Sequence, residues 1–255
     1  MAVTGSPYVY HATQLLVPEN LVVELPKKVN HEEGAYVGQG SIALHQIRMA
    51  RVQLGDLVLV FGADMTGLLA AQAVRAAGAT PILVDESEYR LNKARAVGVA
   101  HAFVPTDEGL MRLVDSLSEG NGTDSALVTR AGDVDAFRAA TKLLRPSGIL
   151  VLGAPLGTAV ALDSLLEKGL MLHTAFGGGD GEAEREGETK GISFPRTLVR
   201  WTERENMACF LNLLAERKIQ IAPLITDRIP LERASVAYEK AQRGRDAVLG
   251  VVLTV

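Results

Sequence analysis

What most constrains this chain is a rhythm. From Leu57 to Ala175, short runs rich in Val, Ile and Leu alternate with segments whose apolar residues recur at helical spacing. Strands connected in this way run parallel, because each crossover carries a helix back over the sheet. The runs predict strands at 57–61, 80–85, 101–104, 124–129, 148–153 and 169–175. Helices are predicted between them, at about 66–78, 87–97, 108–118, 133–144 and 162–168. "AAGAT" ends the first of these helices, and "LLRPSGILVLG" ends another before a buried strand. The expected architecture is α/β, a doubly wound parallel sheet of six strands that binds ligands outside the strands' carboxyl ends.

The first strand feeds a turn that is demanding in its residues. In "VLVFGADMTGLLAAQAVRAAGA" the run Val58 to Phe61 ends at Gly62, and a helix opens near Gly67. Strand, glycine turn and helix N-terminus form the pyrophosphate cradle of a Rossmann-type domain, whose pattern is Gly-x-Gly-x-x-Gly. Gly62 and Gly67 hold the outer positions, and Asp64 holds the middle one, where backbone normally approaches phosphate unobstructed. The next strand, "PILVDE", ends in Asp85, at about the 20-residue distance where an acid accepts hydrogen bonds from the adenine ribose. An acid there repels a 2′-phosphate, so the implied cofactor is NAD(H) rather than NADP(H). Asp85 also has a plainer reading, as a strand-end turn residue or a cap for the helix in "SEYRLNKARAVG".

Asp64 leaves two possibilities open. As an N-cap, worth about 1 kcal/mol, it satisfies the N–H groups and helix dipole that a phosphate otherwise uses, and so mimics the anion internally. Against a phosphate at about 4 Å, with an effective dielectric of about 20, its charge costs up to roughly 4 kcal/mol. Turned outward, it meets the phosphates through water or a cation, and the site is weakened but usable.

Composition removes several classes of function. The 255 residues suffice for one generous core or two modest ones. The 26 Lys and Arg are nearly balanced by 30 Asp and Glu, and no basic stripe is interleaved with aromatics. Small molecules, not nucleic acids, are the expected partners. The single cysteine, Cys209, falls at helical spacing with Phe210, Leu213 and Leu214 and reads as a buried helix residue. One Cys supports neither a disulfide framework nor a structural zinc site. No apolar run reaches the roughly 20 residues of a membrane span and no leader pattern opens the chain, so a cytoplasmic protein is expected. The sequon Asn121-Gly122-Thr123 then reads as a turn.

The flanks behave differently from the middle. Residues 1–30 hold two short alternating runs, "TQLLVP" and "NLVVELP", expected as antiparallel strands with too few partners. A helix is predicted to start at Asn30, with Glu33 reaching back to complete a capping box. The end, "PLITDRIPLERASVAYEKAQRGRDAVLGVVLTV", reads as strand, helix and strand, and the two flanks together as a small second lobe. The expected division is 1–30, 31–220 and 221–255. Within the middle part, 177–191 is polar, charged and glycine-rich, which suits a mobile surface loop or a lid or partner arm beside the crevice.

Several motifs in order carry a family resemblance. They are "PENLVVELPKKVNHEEGAYVGQGSIALHQIRMARVQLGDLVLVFG", Asp85 followed by Arg90 and "KARAVGVAHAF", and the ending "PLITDRIPLERASVAYEKA". From about Val17 onward the chain resembles the medium-chain dehydrogenase/reductase superfamily of the zinc alcohol dehydrogenase type. The segment "KGISFPRTLVRWTERENMACFLNLLAERKI" is most similar to the dehydrogenase half of bi-domain oxidoreductases from surface-polysaccharide gene clusters. The resemblance implies that 1–30 is a remnant of a catalytic, GroES-like lobe and that the C-terminal helix and strand return to it. Zinc-dependent relatives carry a thiol or carboxylate ligand just before the helix matching "SIALH", where this chain has Gly38. Without a ligand triad no catalytic zinc is expected.

By family position the nicotinamide lies near the strand ends at Thr129-Arg130 and Gly153-Ala154, with Gln39 on the neighbouring helix. Gln39 is then a donor to a carbonyl oxygen, Arg130 stabilises an oxyanion or holds an acidic substrate, and His45 is a candidate acid. Each has a plainer reading: a polar helix start, an exposed loop charge and a packed histidine. The implied cofactor-binding set is Gly62, Asp64, Gly67, Asp85, Arg90, Thr129 and Gly153, with no metal ligand. His173 alternates with Leu170 and Leu172 in the strand through which family sheets join, so a homodimer with a continuous sheet is expected.

Three functional readings follow, in order of preference. The first is an NAD(H)-dependent, zinc-independent oxidoreductase acting on a hydroxyl or carbonyl of a small polar metabolite such as a sugar. The second is a recycled fold without redox turnover, closed to pyrophosphate by Asp64. The third is a subunit that needs a separate chain to supply the missing lobe.

Overall fold

The computed structural model describes residues 1–5, 8–106, 108–179, 199–243 and 248–255. They form two compact units, one of 1–45 with 177–255 and the other of 46–176. The loop expected at 177–191 lies outside the described residues apart from 177–179.

At the start of the chain, β1 (Ala2–Val3) pairs antiparallel with β2 (Val22–Val23). The run "TQLLVP" forms no strand, and its Leu16 is 94% exposed. Alternation alone does not make a strand where no sheet face is available to cover it. At Asn30 the expected capping box forms: Glu33 N donates to Asn30 Oδ1 (2.8 Å), and Asn30 N donates to Glu33 Oε2 (3.0 Å). The helix it starts, α1 (His31–Gly34), lasts one turn, and α2 (Val37–Met49) follows.

The second unit is the expected parallel sheet. Its strands are β3 (Leu57–Phe61), β4 (Thr80–Val84), β5 (His101–Phe103), β6 (Thr123–Val128), β7 (Leu144–Leu152) and β8 (Met171–Thr174). Their spatial order is β5-β4-β3-β6-β7-β8, with every pairing parallel. The crossovers are α3 (Met65–Ala76), α4 (Glu88–Ala96), α5 (Glu108–Ser118), α6 (Val134–Leu143) and α7 (Asp163–Lys168). The chain leaves β3 toward β4 on one side and later returns to β6 on the other, so the order reverses beside β3. A crevice opens at such a switch point.

Burial explains why these runs are strands. Leu59, Ile82, Ala126 and Leu150 point to one face, where Val114, Phe137 and Ala140 cover them. Val58, Val60, Leu83 and Leu127 point the other way and are equally inaccessible. Each fully buried Leu or Val contributes about 1.5–3 kcal/mol, so sheet and helices stabilise one another. One boundary departs from expectation: β7 begins at Leu144, not at 148, with a register shift between Thr123 and Ser125 on its partner. Pro146 has no N–H for the ladder and Ser147 sits at φ 58°, so the strand bulges outward there before pairing resumes at Ile149.

Lys168 secures the end of α6. Its ammonium donates to the carbonyl oxygens of Thr141 (3.0 Å), Lys142 (2.6 Å) and Leu144 (2.8 Å), meeting the negative end of the helix dipole. Lys168→Met is expected to destabilise the protein by about 1–2 kcal/mol through loss of these charge-assisted bonds. The change should appear as a lower urea midpoint at constant slope; an unchanged midpoint contradicts the capping role.

The first unit is completed by α8 (Glu203–Ala215), β9 (Ile225–Pro230), α9 (Ala234–Arg243) and β10 (Gly250–Thr254), with β9 and β10 parallel. The strand, helix and strand expected after 221 are all present. The division into 1–30, 31–220 and 221–255 does not match the contacts, however. Phe210 lies against Gly40, Arg217 Nη1 pairs with Glu33 at 2.7 Å, and Arg228 holds Glu32 through two hydrogen bonds. These contacts tie α1, the first part of α2 and α8 to the termini, and the unit boundary falls inside α2, after His45.

Candidate functional site

At the end of β3 the backbone turns sharply at Gly62, whose φ is 102°. A Cβ at Gly67 would overlap the carbonyl oxygen of Gly62, so only glycine lets α3 start this close to the strand. Thr129, just past β6, anchors the other side: its backbone N and its Oγ1 both donate to Phe61 O at 3.0 Å.

Asp64 is the N-cap of α3. Gly67 N donates to its Oδ1 at 2.8 Å, so the capping alternative is the one present. Burial, the largest influence, pushes its carboxyl above the ordinary carboxylate range; nearby Asp85 adds to the rise, while the Gly67 N–H, Arg90 and Arg130 oppose it.

Asp85, just past β4, is 3% exposed. Its Oδ2 accepts from Ala63 N at 2.7 Å and its Oδ1 from Ser87 N at 2.8 Å. The carboxylate thus braces the glycine turn against its own loop. Two guanidiniums approach it, Arg90 Nη1 at 4.0 Å and Arg130 Nη1 at 3.8 Å. Arg130 reaches Asp85 from β6 by crossing the end of β3, which lies between the two strands. The missing side chain of Gly62 makes room, since a Cβ there would meet Arg130 Cγ at 3.1 Å. Paired in this way, Arg130 sits with the expected ribose acid instead of standing free as an oxyanion donor.

Beside this cluster is a cavity of about 190 Å³ outside the strand ends, lined by Gly62, Asp85, Glu86, Arg130, Asp133 and Asp135 among others. Sequence reading missed Glu86, Asp133 and Asp135. Asp133 carried a usable signal, because it caps α6 through Ala136 N (3.0 Å) directly after a strand end.

Gly62, Asp64, Gly67, Asp85, Arg90, Thr129 and Arg130 therefore gather in one place. Gly153, just past β7, lies beside Thr129 on the neighbouring strand end, its N–H donating to Val128 O at 2.8 Å, and the buried Gln46 amide packs against it and leaves no room for a Cβ. Nothing in the sequence around Gln46 signalled this. Gln39 and His45 belong to the other unit, Gln39 exposed on α2 and His45 buried, 6% exposed. His173 lies on the edge strand β8, half-buried, with Nε2 lacking a hydrogen-bond partner. Cys209 is half-buried on α8. Among the described residues no three His, Cys, Asp or Glu side chains gather as a metal-ligand set, and no helix is long and apolar enough to cross a membrane.

Residues 66–189 match the family model described as zinc-binding dehydrogenase. Sorbitol dehydrogenase of Bos taurus is 30% identical over 227 residues, which cover 88% of this chain and 57% of that protein. The chain thus spans little more than half the length of this relative. An oxidoreductase/dehydrogenase of unknown specificity from Escherichia coli superposes with a TM-score of 0.75 at 19% identity, covering 93% of this chain and 62% of that one. An alcohol dehydrogenase from the same species, solved with NADH, superposes at 0.73 with 18% identity, covering 94% and 64%. From the strand order, the glycine turn, the strand-end acid and these likenesses, the chain belongs to the medium-chain dehydrogenase/reductase superfamily.

Proposed function

We propose that this chain is the cofactor-binding part of an oxidoreductase that transfers hydride between NAD(H) and a hydroxyl or carbonyl of a polyol or sugar-like metabolite. The observation that carries the proposal is Asp85, buried at the end of β4 and hydrogen-bonded to the turn that brings Gly62 and Gly67 together. The named activities of relatives such as sorbitol dehydrogenase support the substrate class.

The residues fit the nucleoside end of the cofactor. Asp85 would accept from the ribose hydroxyls, with Arg90 and Arg130 holding the acid in place. Thr129 and Gly153 would line the strand ends toward the reactive ring. NAD(H), when bound, supplies the hydride acceptor or donor. The accompanying proton and the polarisation of the substrate oxygen fall to groups beyond this nucleoside-binding cluster.

The test follows absorbance of the reduced nicotinamide in both directions, NAD⁺ reduction with sorbitol, xylitol and related polyols and NADH oxidation with the corresponding ketoses. Turnover that survives a chelator supports the reading; absence of turnover with every polyol and ketose contradicts it for the chain alone.

The same reading includes a homodimer. Strand β8 ends the sheet on one side and exposes Leu172 (42%), with Phe176 (51%) just beyond it. A second copy pairing along this edge would extend the sheet and cover them. Sedimentation showing only a monomer at micromolar concentration contradicts this.

A further inference from the structure

The turn that identifies the cofactor site also carries a residue that opposes the cofactor. Rossmann-type turns place backbone alone against the pyrophosphate and leave first-turn N–H groups to receive it. Here the N–H of Gly67 is already taken by Asp64 Oδ1 at 2.8 Å, and that of Ala63 by Asp85 Oδ2 at 2.7 Å. Both acceptors are carboxylates.

The surrounding charge does not compensate. Asp85 past β4, Arg90 on α4 and Arg130 past β6 are the charged groups acting on Asp64. The two guanidiniums are already balanced by Asp64 and Asp85, and Glu86, Asp133 and Asp135 add negative charge around the cavity. A diol entering the cavity meets acceptors, whereas a diphosphate at the start of α3 meets a like charge.

We propose that Asp64 is a specificity determinant of this crevice: it leaves the nucleoside end of a dinucleotide unaffected and selectively weakens the phosphate-bearing part, which binds with uptake of one proton onto Asp64. The inference rests on reading the crevice as a dinucleotide site. Geometry supplies the reason, since a protonated Asp64 can donate to a phosphate oxygen where the carboxylate repels it. The upward push of burial on this carboxyl makes the proton easier to keep. A folded-state value above the unfolded one makes the folded protein relatively less stable as pH rises from the ordinary carboxylate value through the raised one.

The experiment is titration calorimetry with adenosine, ADP and NADH on the wild type, Asp64→Gly and Asp64→Asn. Both substitutions are compatible with a helix N-cap, Asn being among the preferred residues there. The expected result is adenosine affinity equal in all three proteins, with ADP and NADH at least about tenfold tighter in Asp64→Gly, a change of roughly 1.4 kcal/mol. In the wild type alone, NADH should bind more weakly as pH rises, by at most about tenfold per unit, with proton uptake seen on changing the buffer. Binding of all three ligands with no dependence on residue 64, or with adenosine changing as much as ADP, overturns the inference and leaves the dinucleotide reading standing. No binding of any ligand to any of the proteins overturns both.

Discussion

Gly67→Ala should lower the thermal midpoint by about 6–12 °C, the shift for roughly 3 kcal/mol in a chain of this size. The added Cβ would overlap the carbonyl oxygen of Gly62, a backbone atom that cannot rotate away as a flexible side chain does. Relief requires α3 to move off the end of β3, which would break the Asp64 cap and expose Leu68 and Leu69, both now inaccessible. NADH binding should disappear with it. Gly157→Ala is the control: its φ is 70° but nothing lies within 4 Å, so only left-handed backbone strain of about 1–2 kcal/mol is added. Equal midpoints for the two variants contradict the close approach at Gly67.

Asp85→Ala is expected to cost about 3 kcal/mol. It would leave the N–H groups of Ala63 and Ser87 without their acceptor and two guanidiniums without their shared counter-charge. Asp85→Asn separates structure from recognition, because the amide oxygen can keep one N–H while the charge is lost. In that variant the preference for NADH over NADPH should fall by at least about tenfold, since a 2′-phosphate then faces Arg90 and Arg130 in place of a carboxylate. Equal loss of both cofactors contradicts the ribose role and leaves Asp85 a brace of the turn.

The middle of the fold was legible because its strands are buried on both faces. Runs such as "VLVF" and "PILV" have no amphipathic alternative, and β3 and α5 fall where expected, at Leu57–Phe61 and Glu108–Ser118. Caps were legible for a local reason: Asn30 and Asp64 each bond an N–H three residues on, within the reach of sequence reasoning. What depended on distant contacts was not. The unit boundary inside α2 reflects Phe210 against Gly40 and Arg217 against Glu33, pairs separated by more than half the chain. "TQLLVP" had the alternation of a strand but no sheet to join.

The candidate site divides in the same way. Gly62, Gly67 and Asp85 were identifiable from spacing around one strand and turn. The partnership of Arg130 with Asp85 was not, because it depends on β3 lying between β4 and β6 and on a glycine opening the path over its end. The acidic lining from Asp133 and Asp135 lay in a segment read only for its helix.

The proposed role of the strand-end crevice beside Asp85 is that of a dinucleotide site selective for NAD(H). Titration calorimetry of the unmodified chain with NADH and, separately, NADPH tests it most directly. The expected result is one NADH bound per chain, with NADPH at least about tenfold weaker. Binding of neither cofactor, or equal binding of both, contradicts it.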